Sequence, residues 1–123
     1  MTWTYVQRTG ALSHNGEPIA TAYCGNSTGL NNPLEQDKVG VGPIPCGSYT
    51  IGPPHTPPDH LGPMALPLVP AATNQMFGRS AFFIHGDNAA MNHTASNGCI
   101  ILGRPFRREI IDSGDTTLVV TAG

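Results

Sequence analysis

Short apolar runs alternate with clusters of Gly, Pro and Asn along this chain, a pattern that predicts strands and turns with long ordered loops. Trp3 and Tyr5, and less cleanly Gln7, alternate with polar positions up to a break at Gly10, which reads as a strand and a turn. "ALSHNGEPIATAY" follows, and its Asn15-Gly16 pair is a hairpin signal, because both central residues of a two-residue turn must accept positive φ. Antiparallel strands, two or three of them, are therefore expected up to about Tyr23. From Cys24 to Pro45 the residues suit a long loop, and "CGSYTIG" after it is a short strand. Pro53–Pro63 cannot form a regular element, because Pro lacks the N–H and fixes φ. "MALPLVP" reads as an edge strand, where Pro is tolerated. "SAFFIHG" and "CIIL" read as buried strands and "TTLVVT" as a closing one. "GRPFRREIIDSG" predicts one short helix, with Pro105 early and Gly114 just past the end. The fold class expected is mainly β, one domain over residues 1–123 with a single small helix.

Composition narrows this picture. Charged residues make up 11% of the 123 residues, against about 25% in ordinary globular chains. Its 39% hydrophobic content is below average, but the 15 Gly and 12 Pro are spread aperiodically between short apolar runs, so a strand-and-turn fold with long ordered loops is expected over disorder. A net charge of −2 without a Lys/Arg cluster in the first hundred residues argues against nucleic acid or an anionic membrane as partner. No apolar stretch approaches the ~20 residues of a membrane span. "MTWTYVQRTG" lacks the basic-then-apolar order of a secretory signal, so export would need another route. Cys24, Cys46 and Cys99 are odd in number and none has a CxxC partner, so a structural zinc cage is poorly supported.

The densest chemistry lies in "FFIHGDNAAMNHTASNGCII" (Phe82–Ile101). His85 ends one apolar run and Cys99 opens another, with 13 residues between them. If the two runs are neighbouring strands, imidazole and thiol meet at one sheet edge, the pairing a cysteine nucleophile needs. Gly98 permits a tight turn whose N–H groups could face a developing oxyanion, the N–H of Cys99 first among them. The plainer reading is that a free cysteine simply packs. The conjunction of His-Gly after a strand, Ser-x-Gly-Cys before one and Gly/Pro-rich loops favours catalysis.

"IHG…S-x-G-C-I" resembles the active-site signature of L,D-transpeptidase catalytic domains. "WTYVQRTGAL", "AYCG…GLNNP", "GPIPCGSYTIG", "GRSAFFIHGDN", "ASNGCIIL" and "REIIDSGDTTLVV" fit the branch of that superfamily containing type VI secretion L,D-transpeptidase effectors. The resemblance implies an L,D-transpeptidase-like β-sheet domain without a cofactor. It implies a cysteine acyl-enzyme on peptidoglycan tetrapeptide stems, resolved by water (L,D-carboxypeptidase) or by an amine (exchange or cross-linking). Cys99 would be the nucleophile and His85 the base, its second ring nitrogen held by the Gly86 carbonyl or by Asp87, with Ser96 orienting the histidine or the turn. Tyr23, Asn32, Arg79, Asn97 and Arg104 would line the substrate cleft. The implied partners are a secretion apparatus and a cognate immunity protein, and the implied place of action is the periplasm of a target bacterium. The chain departs from the pattern in having Asn97 where the superfamily has His, a shorter His-to-Cys loop, Tyr23-Cys24-Gly25 for Tyr-Ser-Gly, and Arg104 as the nearest substitute for the arginine after Cys-Ile.

Other residues carry weaker readings. His93 with His85 and Cys99 matches no familiar zinc spacing. His55, Asp59 and His60 sit in a proline-rich surface loop or a lid. Cys24 and Cys46 form either a disulfide or two thiols, and Arg104, Arg107 and Arg108 read first as a solvated helix face. Two rival functions are a papain-like cell-wall endopeptidase, in which cysteine precedes histidine and opens a helix, and a non-catalytic wall-binding module.

Overall fold

Asn15 and Gly16 both take positive φ, 51° and 83°, and join β2 (Ala11–His14) to β3 (Glu17–Thr21), after β1 (Trp3–Val6). The hairpin signal thus has the backbone it requires. The structure is a computed structural model that describes residues 2–54, 64–87, 96 and 98–123. After the single residue Ala22 comes β4 (Tyr23–Cys24), then a long loop holding two 3-10 turns, Ser27–Gly29 and Pro33–Glu35. The remaining strands are β5 (Gly47–Ile51), β6 (Leu66–Pro70), β7 (Phe82–His85), β8 (Ile100–Ile101) and β9 (Thr117–Thr121), with helix α1 (Arg104–Ser113) between the last two. Pro105 stands in the first turn of α1, and Gly114 closes it at φ 70°, its N–H reaching Ile111 O.

One sheet runs β3-β2-β1-β9-β5-β6-β7-β8-β4. Its two edge strands, β3 and β4, are consecutive in the chain, so the sheet curls until it is nearly closed. Alternate residues point into the curl: Trp3, Tyr5, Leu12, Tyr49, Leu68, Phe82, Ile84, Ile100, Leu118 and Val120 form its buried core. Each large apolar side chain fully removed from water there contributes about 1.5–3 kcal/mol. α1 adds Ile110 to that core. Among the described residues, no helix is long and apolar enough to cross a membrane.

β6 corrects an expectation. It is no edge strand, for it pairs with β5 on one side and β7 on the other. Both prolines escape the cost of a missing donor by position. Pro67 O accepts from Gly52 N at 2.8 Å, so its main-chain groups face just beyond Ile51, where β5 ends. Pro70 lies past Leu68, the last residue of β6 that pairs with β7.

Candidate active site

β7 and β8 run parallel, with Ile84 opposite Ile100 and His85 opposite Ile101. Ile84 and Ile100 point into the core, both 0% exposed. The alternation of a strand therefore turns His85 and Ile101 to the outer face, and Cys99, the residue before Ile100, to the same face. Cys99 comes level with Phe83, whose N–H lies 3.4 Å from its Sγ, and the sulfur is 3.9 Å from Ala81 O. On the other side of β8, Tyr23 pairs with Ile101, so Tyr23, Ile101 and His85 make one row across three strands.

The His85 ring is buried, with Nδ1 2.8 Å from Gly86 O. A carbonyl only accepts, so Nδ1 carries the hydrogen and Nε2 of the neutral ring is the basic nitrogen. Between the two acceptors open from the sequence, the Gly86 carbonyl is therefore the one engaged. Asp87 is bound elsewhere: its Oδ1 accepts the Tyr23 hydroxyl hydrogen at 2.7 Å.

Ser96 builds the turn into Cys99. It is fully buried, and its Oγ accepts from Gly25 N at 2.9 Å and Gly98 N at 3.0 Å. The same hydroxyl donates to Cys99 O at 2.5 Å, and Asn26 Nδ2 donates to Ser96 O at 2.7 Å. These are the contacts of a residue that orients the turn, and they commit the Gly98 N–H to Ser96. Gly98 itself sits at φ 137°, and a Cβ there would come 2.5 Å from Arg79 Nη2 and 2.7 Å from the Phe82 ring. Only glycine fits.

Two crevices lie beside these strands, one of them lined by Cys99 and neither by His85. One, of about 320 Å³, is lined by Cys99, by Gly78–Phe82 and by Val39 and Gly40 of the long loop. Arg79 forms part of its wall, buried, with Nη1 2.6 Å from Gln36 O and 2.7 Å from Pro43 O and Nη2 2.8 Å from Gly42 O. Its guanidinium also lies 5.1 Å from the Phe82 ring centroid. Burial pulls the Arg79 pKa below the usual arginine value, while its electrostatic coupling to Cys24, Tyr49, Cys99 and Asp37 acts against that. The second crevice, of about 310 Å³, is lined by Thr21, Ala22, Tyr23, Asn31, Asp87 and the stretch Ile101–Gly103.

The other expected cleft residues lie further out. Asn32 accepts from Leu34 N at 3.1 Å and donates to Thr28 O at 3.0 Å, capping the second 3-10 turn. Arg104 is exposed at the start of α1, next to Gly103 of the second crevice. Asn97, His93, His55, Asp59 and His60 lie outside the described residues. Among the described residues, no group of three His, Cys, Asp or Glu side chains is arranged to hold a metal ion.

Two residues play parts that the sequence reading missed. Arg107 is not on a solvated face: it is 5% exposed, donates from Nη1 to Leu102 O at 2.6 Å, and packs against Gly86. Burial and the neighbouring Arg104 lower its pKa. The signal was present, since position 107 stands one helical turn before Ile110 and Ile111 on the inward side of α1. Cys24 is the other. Cys24 and Cys46 are two thiols rather than a disulfide; Cys46 Sγ meets Gln7 Oε1 at 3.3 Å, whereas Cys24 Sγ reaches Gly98 O at 2.8 Å.

No curated protein matches the chain. The Tlde1 domain matches residues 19–117, a span that runs from β3 to the first residue of β9 and takes in His85, Ser96 and Cys99. By that match over most of its length, the chain belongs to the Tlde1 domain family, a family of type VI secretion effectors.

Proposed function

We propose that the chain is a cysteine-dependent L,D-carboxypeptidase and L,D-transpeptidase acting on peptidoglycan stem peptides, with Cys99 as nucleophile and His85 as base. The observation that carries this reading is the parallel β7–β8 register, with His85 and Cys99 on one outer face of adjacent strands and the histidine tautomer fixed by Gly86. His85 Nε2 takes the thiol proton as Cys99 Sγ attacks the carbonyl of the L-centre of the diamino acid at position three. The tetrahedral intermediate collapses, its C–N bond breaks, and His85 returns the proton to the departing D-alanine amine. Water or a second amine then attacks the thioester, again giving a proton to His85, which passes it to the leaving thiolate. The N–H of Cys99 serves as the oxyanion donor. Arg79 holds the wall of the crevice on the sulfur side and adds positive charge near the thiolate. Tyr23 shapes the opposite rim, Asn32 holds the 3-10 turn behind it, and Arg104 meets a substrate carboxylate.

Membership of an effector family supports delivery into a rival bacterium, with action on its periplasmic wall and an immunity protein in the producer. A papain-like reading is disfavoured, because Cys99 opens a strand rather than a helix. The decisive experiment incubates purified protein and Cys99→Ala with a defined tetrapeptide fragment, with and without a free D-amino acid. Release of D-alanine by the wild type alone is expected, with an exchanged product when the D-amino acid is present. Equal release by Cys99→Ala would end the cysteine mechanism.

A further inference from the structure

Cys24 is 0% exposed and is not placed to be a nucleophile. Its sulfur accepts the N–H of Ile44 at 3.0 Å and donates to Gly98 O at 2.8 Å. That carbonyl belongs to the same peptide group as the N–H of Cys99. A trans peptide is planar with C=O and N–H opposed, so fixing the carbonyl toward β4 fixes the Cys99 N–H on the side away from it. The flanking peptide groups are held as well: Ser96 Oγ takes the Gly98 N–H and donates to Cys99 O. Three successive peptide groups at the nucleophile are thus pinned from below, the middle one by Cys24.

We infer that Cys24 is a positioning residue for the oxyanion donor: its thiol sets the Gly98–Cys99 peptide so that the Cys99 N–H faces the attacked carbonyl. This rests on the roles proposed above for Cys99 and His85. Burial pushes the Cys24 pKa up, so its S–H remains a donor throughout the neutral range. The effect falls on the transition state, because the oxyanion forms only there.

Cys24→Ala should lower kcat for D-alanine release about tenfold, part of the roughly hundred- to thousandfold that a whole oxyanion donor is worth. KM should stay within about twofold, the signature of an interaction made only in the transition state. Alkylation of Cys99 by iodoacetamide, followed by mass spectrometry of its peptide, should keep its wild-type rate, because the nucleophile itself is untouched. Cys24→Ser keeps a donor and should recover most of the activity. If the alanine variant does not fold, Cys24→Val fills the space without the donor, and its comparison with Cys24→Ser replaces it. Wild-type kcat in Cys24→Ala or Cys24→Val, a Cys24→Ser as slow as either, or alkylation slowed as much as turnover each overturns the inference. Cys99→Ala separates the levels: D-alanine release by that variant refutes the underlying reading, whereas an inert Cys99→Ala beside a fully active Cys24→Ala refutes only the role of Cys24.

Discussion

The guanidinium of Arg107 occupies the space in front of Gly86: a Cβ on Gly86 would come 2.7 Å from Nη1 and 3.3 Å from Nη2. The same guanidinium holds Leu102 O, and Leu102 N donates to His85 O at 2.9 Å. Arg107 thus locks helix α1 onto the end of the β7–β8 ladder, directly behind the carbonyl that fixes the His85 tautomer.

Gly86→Ala should therefore act twice. Overpacking against a buried, hydrogen-bonded arginine costs roughly 1–3 kcal/mol, read as a lower melting temperature. D-alanine release should fall further than stability explains, because the carbonyl that holds the His85 Nδ1–H must shift. A variant with unaltered melting and rate would show that Arg107 moves aside freely.

Ser96→Ala removes one hydroxyl and strands two buried N–H donors, those of Gly25 and Gly98. Each unsatisfied buried donor costs about 1–3 kcal/mol, so a loss of roughly 2–6 kcal/mol is expected in urea unfolding. Activity should drop in the fraction that remains folded, because the turn into Cys99 loses its tie. Loss of less than about half a kilocalorie would mean that water replaces the hydroxyl.

Arg79→Gln tests the charge beside the sulfur. The guanidinium is electrostatically coupled to Cys99, and a cation beside a sulfur favours its thiolate. Its removal should shift the pH midpoint of Cys99 alkylation upward and slow alkylation at neutral pH. Arg79→Lys should shift it less. An unchanged pH profile in Arg79→Gln would confine the residue to its three carbonyl contacts.

His14 Nε2 and Asp115 Oδ2 meet at 2.9 Å, and the His14 ring stacks on Trp3 with centroids 4.1 Å apart. Burial acts to raise the Asp115 pKa, but the His14 contact and the Thr117 N–H outweigh it and hold it below the usual aspartate value. A depressed carboxylate contributes stability above its unfolded pKa of about 3.9 and loses it as pH falls through the folded value. Asp115→Asn should therefore be less stable than wild type at pH 6, with the gap closing as the pH drops below about 4. Unfolding followed by fluorescence of Trp3, the single tryptophan, measures it. A gap that persists undiminished into strong acid would exclude this linkage.

Much of the fold was legible along the chain because its signals are local. The Asn15-Gly16 hairpin, the Pro105–Gly114 limits of α1 and the apolar runs of β7 and β9 depend on turn chemistry and side-chain alternation within a few residues. His85 and Cys99 were legible for the same reason, each standing at the mouth of an apolar run. The prolines of β6 misled the reading, since a ladder position that needs no donor is defined by where neighbouring strands stop.

By itself, then, the sequence determined where strands start and turn, and which imidazole and thiol stand at strand ends. Only the tertiary structure decided that β7 lies parallel to β8, that Arg107 is buried behind Gly86, and that Cys24 grips a carbonyl 74 residues away. Those facts depend on pairing between distant segments, where partners are chosen by the shared core and by leftover backbone donors and acceptors, and no local periodicity encodes that choice.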